Sequence, residues 1–332
     1  MKIINNLSVI FILFFLTNVK ANNTEFNEWL ISLKKLALNN QISSKTFDTV
    51  MSDVKFLPKV IEYDRYQPEF YEDTKTYIAK RTSKKKIKKG VELYLNNKDL
   101  IDLVSKKYSV EKELLLALMG IETNFGTYVG KMDIISSLAT LSFDKRRSKF
   151  FTNELITILQ LVERDIIDHR ILYGSWAGAF GYFQFMPTTI NKYAIDFNNN
   201  DRIELKEIND SFASAANYLD KMGWNNNEPC FVKIELKKNI PIKFLNTSAK
   251  GIKNKMKLEF FKKYIVNYDS LLLDEKLLTG IITPDKDIVP DAKNLNPAYL
   301  IFNNYELILK WNRSLRFALA VCTLKKGISN EL

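Results

Sequence analysis

Apolar positions recur along this chain with two different periods, and the switch between them organises it. From Asn22 to about Ser105 the spacing is helical: Phe26, Trp29, Leu30 and Leu33 recur in this way, as do Val91, Leu93, Tyr94, Leu100, Leu103 and Val104. From about 106 to 224 the pattern remains helical but is punctuated by glycines at 120, 126, 130, 174, 178, 181 and 223. From Phe231 the texture becomes alternating, and strands are expected at Phe231–Leu236, Ile240–Leu245, Leu278–Ile282 and Tyr299–Phe302. Tyr305 to Leu324 returns to helical spacing. The pattern predicts a mainly α (α+β) fold. It has an N-terminal helical domain (22–105), a helical core (106–229), a small inserted β subdomain (230–302) and a C-terminal segment (303–332) that closes on the core.

The first residues follow another rule. Lys2, the apolar stretch Leu7–Leu16 and Val19-Lys20-Ala21 read as a signal peptide cleaved after Ala21. The stretch holds about 10 apolar residues, where a membrane span needs roughly 20. No cysteine follows the cleavage point to take a lipid, and no other segment approaches spanning length. A soluble, exported protein without a transmembrane segment is expected.

Composition narrows the partners. The 332 residues carry 49 Lys+Arg against 38 Asp+Glu, and 46% of them are hydrophobic, which fits a globular chain of one or two domains. The full chain carries +11; removal of Lys2 and Lys20 with the leader leaves +9, which on an exported protein points to an anionic envelope polymer or membrane surface ahead of nucleic acid. The basic run Lys80–Lys89 lacks the interleaved aromatics that stack on bases, and reads as a solvated helix face.

With one histidine and two cysteines, a zinc enzyme is improbable. His169 sits in Asp168-His169-Arg170 with no nucleophile motif nearby, so carboxylates are the expected workers. Cys322 lies in the apolar run that begins at Phe317. A buried free thiol is expected there, although export would permit a bridge to Cys230.

Three constellations carry chemistry. In the first, Ser109 is the expected N-cap of a helix with Glu111 and Glu113 in its first turn. Leu115, Leu118, Met119 and Glu122 share one stripe of that helix, which ends at Thr123-Asn124-Phe125-Gly126. Burial and the negative end of the helix dipole both favour the protonated carboxyl, as a general acid requires, although a Glu paired with a Lys fits the spacing too. The second runs from Gly174 to Pro187. Small residues there allow close backbone approach, Trp176, Tyr182 and Phe183 offer flat faces, and Ser175 and Gln184 offer hydrogen bonds. That suits a sugar groove or a tightly packed hairpin. The third, Asp196–Glu207, puts side-chain oxygens at Asp196, Asn198, Asn200, Glu204 and Glu207, with the Arg202 carbonyl between them, in EF-hand spacing. Asp201 replaces the usual glycine, so the stretch is a weak calcium loop or an Asn-rich turn without metal.

Together and in this order, these stretches resemble the lytic murein transglycosylase B family, which cleaves peptidoglycan glycan strands. The likeness runs from Ala117–Gly126 through Leu138–Phe143, Arg146-Arg147, Gly174–Pro187 and Tyr193–Phe197 to Ala216–Tyr218 and Gly223-Trp224. Weaker echoes are Asp64–Phe70 and Trp311-Asn312-Arg313-Ser314. The resemblance implies a lysozyme-like core with Glu122 as catalytic residue. It places Ser175, Gln184 and Asn312 in the groove, with Tyr182 and Trp311 beside them. It also implies a structural calcium at Asp196, Asn198, Asn200, Arg202 and Glu207, with no cofactor needed for chemistry. Phe125 stands where tryptophan is common in the family, and Trp311 and Phe317 where tyrosines are usual.

The implied mechanism uses one carboxylate. Glu122 protonates the bond between N-acetylmuramic acid and N-acetylglucosamine, the sugar's N-acetyl group stabilises the cationic centre, and Glu122 then deprotonates the muramoyl 6-hydroxyl, which closes a 1,6-anhydro ring. A soluble periplasmic monomer acting on glycan strands is expected. The alternatives are a muramidase and a non-catalytic wall-binding or scaffold protein.

Overall fold

The computed structural model describes residues 24–66, 72–285 and 295–332; the expected signal peptide, residues 1–21, and Gln67–Phe70 lie outside them. Helices dominate. In chain order they are α1 (24–39), α2 (Ser44–Met51), α3 (Pro58–Arg65), α4 (Thr74–Arg81), α5 (Lys84–Asn96), α6 (Lys98–Tyr108) and α7 (Lys112–Thr123). After strand β1 (Met132–Asp133) come α8 (Ile134–Phe143), α9 (Ser148–Glu163), strand β2 (Tyr173–Gly174), α10 (Pro187–Tyr193) and α11 (Ile208–Met222). The last part holds β3 (Phe231–Ile234), β4 (Leu245–Asn246), β5 (Met256–Lys257), α12 (Leu258–Phe261), β6 (Leu278–Ile282), β7 (Ala298–Ile301), α13 (Asn303–Trp311) and α14 (Leu315–Ser329).

The chain forms two compact units, each assembled from separate stretches. The described residues up to Tyr66, with Val129–Lys192 and Asn199–Glu204, make the first. Its centre is α8, whose residues from Ile134 to Ser142 are all buried. Asp133 caps its start by accepting from the amide of Ser136. Two polar side chains of α8 accept from the backbone that follows α2: Ser136 Oγ from Lys55 N at 3.0 Å and Thr140 Oγ1 from Leu57 N at 2.9 Å. Burial of Ser136 and Thr140 is thus offset by hydrogen bonds, as a buried hydroxyl requires. Asp64 is also buried and is held by the guanidinium groups of Arg146 and Arg147, which joins two of the matching stretches.

The second unit comprises the described residues from Glu72 to Tyr128, with Tyr193–Asn198 and Leu205–Leu332. Helices α7 and α14 pack together, with Leu114 to Gly120 of α7 fully buried. Gly120 permits the close approach: a Cβ there would lie 2.7 Å from the Phe125 ring and 3.0 Å from Leu324. The strands form one sheet in the order β3-β7-β6-β4, with β5 also paired to β6. Ile234, Phe244, Phe261, Ile281 and Leu300 supply its core.

Four expectations are corrected. Ser109 is not the N-cap of α7; it takes left-handed backbone (φ 52°) at the end of α6, and Glu111 occupies the cap. Within Ile240–Leu245 only Leu245 is strand, because Pro241 has no N–H for a ladder and opens a 3₁₀ turn over Ile242–Phe244. The helical run from Tyr305 breaks at Asn312, and Ser314 restarts it as the N-cap of α14. Cys322 is buried but not free: it forms a disulfide with Cys230, their Cα atoms 6.3 Å apart. Burial of a thiol says nothing about its partner, which the sheet brings up beside α14.

Candidate active site

Helix α7 is fixed at both ends. At its start the Glu111 carboxylate accepts from Lys325 Nζ at 2.6 Å and from the indole N–H of Trp224. At its finish Asn124 and Phe125 take left-handed backbone, φ 50° and 59°, and the amides of both turn back to the Met119 carbonyl. Lysines complete the cap. Lys86 Nζ donates to the Gly120 carbonyl at 2.9 Å, and Lys89 Nζ to the Asn124 carbonyl at 2.8 Å. The basic run is therefore not simply a solvated face: Lys86 and Lys89 are half-buried against the end of α7.

Glu122 projects from the last turn and is half-buried. Its Oε1 accepts from the indole Nε1 of Trp311 at 3.0 Å. Trp311 lies against Tyr218, ring centroids 5.0 Å apart, and Tyr218 against Tyr193 at 4.4 Å. Burial, with a smaller contribution from Tyr193, pushes the Tyr218 phenol up to about 12, so it stays neutral at physiological pH. Asn312 follows directly in extended backbone, φ −140°, where α13 stops. Glu122, Trp311 and Asn312 are thus brought into one unit, joined by an aromatic stack. Sequence reasoning assigned no role to Tyr193, Tyr218, Lys86 or Lys89.

Ser175, Tyr182 and Gln184 belong to the other unit, on a tight double turn. Ser175 and Ala179 exchange backbone bonds: Ser175 N donates to Ala179 O at 2.9 Å, and Ser175 Oγ accepts from Ala179 N at 3.0 Å. A Cβ on Gly174 would stand 2.1 Å from the Ala179 carbonyl, so only glycine allows this closure. Gln184, at φ 50°, donates from Nε2 to the carbonyls of Gly181 at 2.8 Å and Val129 at 3.2 Å. Ser175, Trp176, Tyr182 and Gln184 remain half-buried, whereas Phe183 is only 1% exposed and serves the core, not a groove.

The 196–207 loop carries Asp196, Asn198, Asn200, Arg202 and Glu207. Asn199 and Asp201 take left-handed backbone, φ 58° and 66°, so Asp201 makes the turn that glycine would make. Asn200 Oδ1 accepts from Arg202 N at 3.0 Å and its Nδ2 donates to Glu204 at 2.7 Å. Among the described residues no group of three or more His, Cys, Asp or Glu side chains is arranged to hold a metal. His169 Nδ1 lies 3.9 Å from Asp168, whose carboxyl is drawn down to about 2, chiefly by Arg170.

Residues 25–326 match the family model described as the transglycosylase SLT domain. The chain belongs to that family. This SLT-domain chain is 28% identical over 263 residues to the membrane-bound lytic murein transglycosylase B of Escherichia coli, covering 76% of this chain and 66% of that one. Among solved structures it is similar to SltB3 from Pseudomonas aeruginosa in complex with NAG-anhNAM-pentapeptide, with 28% identity and a TM-score of 0.81 over 92% of this chain and 79% of that one. The lytic transglycosylase Slt35 of E. coli, in a complex with calcium, shares the fold at 24% identity and a TM-score of 0.75, over 94% of each chain. The helical, lysozyme-like class expected for the SLT chain is the class of these structures. No helix of the described residues is long and apolar enough to cross a membrane.

Proposed function

We propose that this protein is a peptidoglycan lytic transglycosylase in which Glu122 serves first as acid and then as base, forming 1,6-anhydro-N-acetylmuramic acid ends. The observation that carries the reading is the setting of Glu122. It is half-buried, on the terminal turn of a helix fixed at both ends, and it has an indole N–H on one oxygen. A carboxyl so placed can give up and regain one proton without changing position. The hydrogen bond from Trp311 favours the carboxylate formed after the glycosidic oxygen is protonated. That carboxylate then accepts the 6-hydroxyl proton.

Asp133 and Asp144, the first two acids after Glu122 in the sequence, have other work. Asp133 caps α8, and Asp144 is paired with Arg65 at 2.7 Å. This supports the one-carboxylate route over a two-carboxylate muramidase. Ser175, Tyr182, Gln184, Trp311 and Asn312 are proposed to line the glycan groove. The likeness to SltB3, solved with an anhydromuramoyl pentapeptide, supports this substrate class. The test is digestion of intact sacculi, with soluble fragments analysed by mass spectrometry. Wild type should release anhydromuropeptides and Glu122→Gln should release none. Sedimentation with sacculi and no release by wild type would favour the non-catalytic wall-binding reading.

For calcium the donor set fits: Asp196, Asn198, Asn200, the Arg202 carbonyl and Glu207 are hard oxygen donors, and Asp201 adopts the required turn. A bound ion there would stiffen the loop and take no part in the chemistry. Calcium at 100 times its dissociation constant should stabilise the fold by about 2.7 kcal/mol. A melting temperature unmoved by calcium or chelator would remove the site. The leader-like segment that ends at Ala21 supports export, and we propose that the enzyme acts in the periplasm.

A further inference from the structure

Lys86 and Lys89 lie one turn apart on α5 and meet the end of α7 from the side. The carbonyls they bind belong to Gly120 and Asn124, two residues before and two after Glu122. Lys89 also donates to Thr127 Oγ1. The amides of Asn124 and Phe125 both turn to Met119, so the Gly120 carbonyl takes a donor from outside the helix. Carbonyls at this end carry the negative pole of the helix, and an ammonium group both satisfies and neutralises them.

We propose that Lys86 and Lys89 are positioning residues for Glu122, fixing the turn that carries it and setting the charge balance against which its proton is held. The inference rests on Glu122 being the acid–base group. Holding Lys86 there is costly: burial, then the positive charges of Arg81 and Lys89, push its ammonium below the usual range. A solvated lysine would avoid that cost, and the Gly120 carbonyl is what offsets it.

Several charged and titratable groups on the elements around α7 are engaged elsewhere or carry no charge. On α6, Asp102 is bound to Lys98 and Lys112 and is drawn down to about 2, chiefly by Lys98. On α14, Lys325 is paired with Glu111 at the opposite end of α7, and Arg316 with Asp285. On α11, Tyr218 stays neutral. On α13, Trp311 is a donor with no charge.

The test needs no substrate. The Glu122 carboxyl is titrated by carbon-13 NMR in wild type, Lys86→Met, Lys89→Met and Lys86→Arg, with its signal assigned by its loss in Glu122→Gln. The Trp311 indole cross-peak should follow the same midpoint. Loss of either cation should raise the midpoint by about half a pH unit or more, because a neighbouring positive charge favours the carboxylate. Lys86→Arg should restore the wild-type value. Lys89→Met keeps the Lys86 contact, so it reports even if the other methionine variant folds poorly. Midpoints unchanged in both methionine variants would overturn the proposal. Wild type that titrates as described but releases nothing from sacculi would contradict only the transglycosylase reading.

Discussion

Trp311 does two jobs through one ring: its face packs on Tyr218 and its N–H binds Glu122. The two can be separated. Trp311→Phe keeps an aromatic face but removes the donor, and a hydrogen bond to a charged group contributes about 1.5 to 3 kcal/mol. Turnover on sacculi should fall on the order of tenfold or more. The melting temperature should fall by only a few degrees. An unchanged rate would show that the indole only fills space. At this scale the apolar helical stripe singled out Glu122, but its proposed role came from the resemblance, because the spacing alone fits a Glu paired with a Lys as well. Lys86 and Lys89 were not singled out, because a lysine-rich run looks the same whether its ammonium groups face water or a carbonyl more than 30 residues away.

Among the elements, helix α7 and strands β6 and β7 follow from their apolar runs, Leu114–Met119, Gly280–Ile282 and Ala298–Ile301, each of which is buried. Period fails where one residue overrides it, as Pro241 does in its 3₁₀ turn and Ser314 does by starting a second helix. The disulfide belongs to this scale too, because it ties the chain just before β3 to α14, which packs on α7. It closes a sequence separation of 92 residues, and loops of that order contribute about 4 to 5 kcal/mol by restricting the unfolded chain. Replacing both cysteines with serine, or reducing the bridge, should lower the melting temperature by roughly 10 °C. A melting temperature unmoved by reductant would mean that α14 is held without the bridge.

For the whole molecule, the order of the motifs carried more than any one of them: helix-borne Glu122, the glycine turn, the oxygen-rich loop and the Trp311-Asn312 pair. The helical class with its small sheet was legible, and so was the family. The division into two interleaved units was not, because it depends on contacts among distant stretches that leave no periodic trace. The proposed glycan groove was read only as a list of residue types. Phe183 left that list because aromatic composition does not distinguish a ring that faces ligand from one that fills the core.

The central claim is that one carboxylate cleaves the strand without water. Digestion of sacculi in oxygen-18 water, followed by mass spectrometry of the released muropeptides, tests it most directly. Ring closure by the 6-hydroxyl predicts anhydro ends that carry no oxygen-18, formed by wild type and absent with Glu122→Gln. Reducing ends labelled with oxygen-18 would contradict the claim and make the protein a hydrolase.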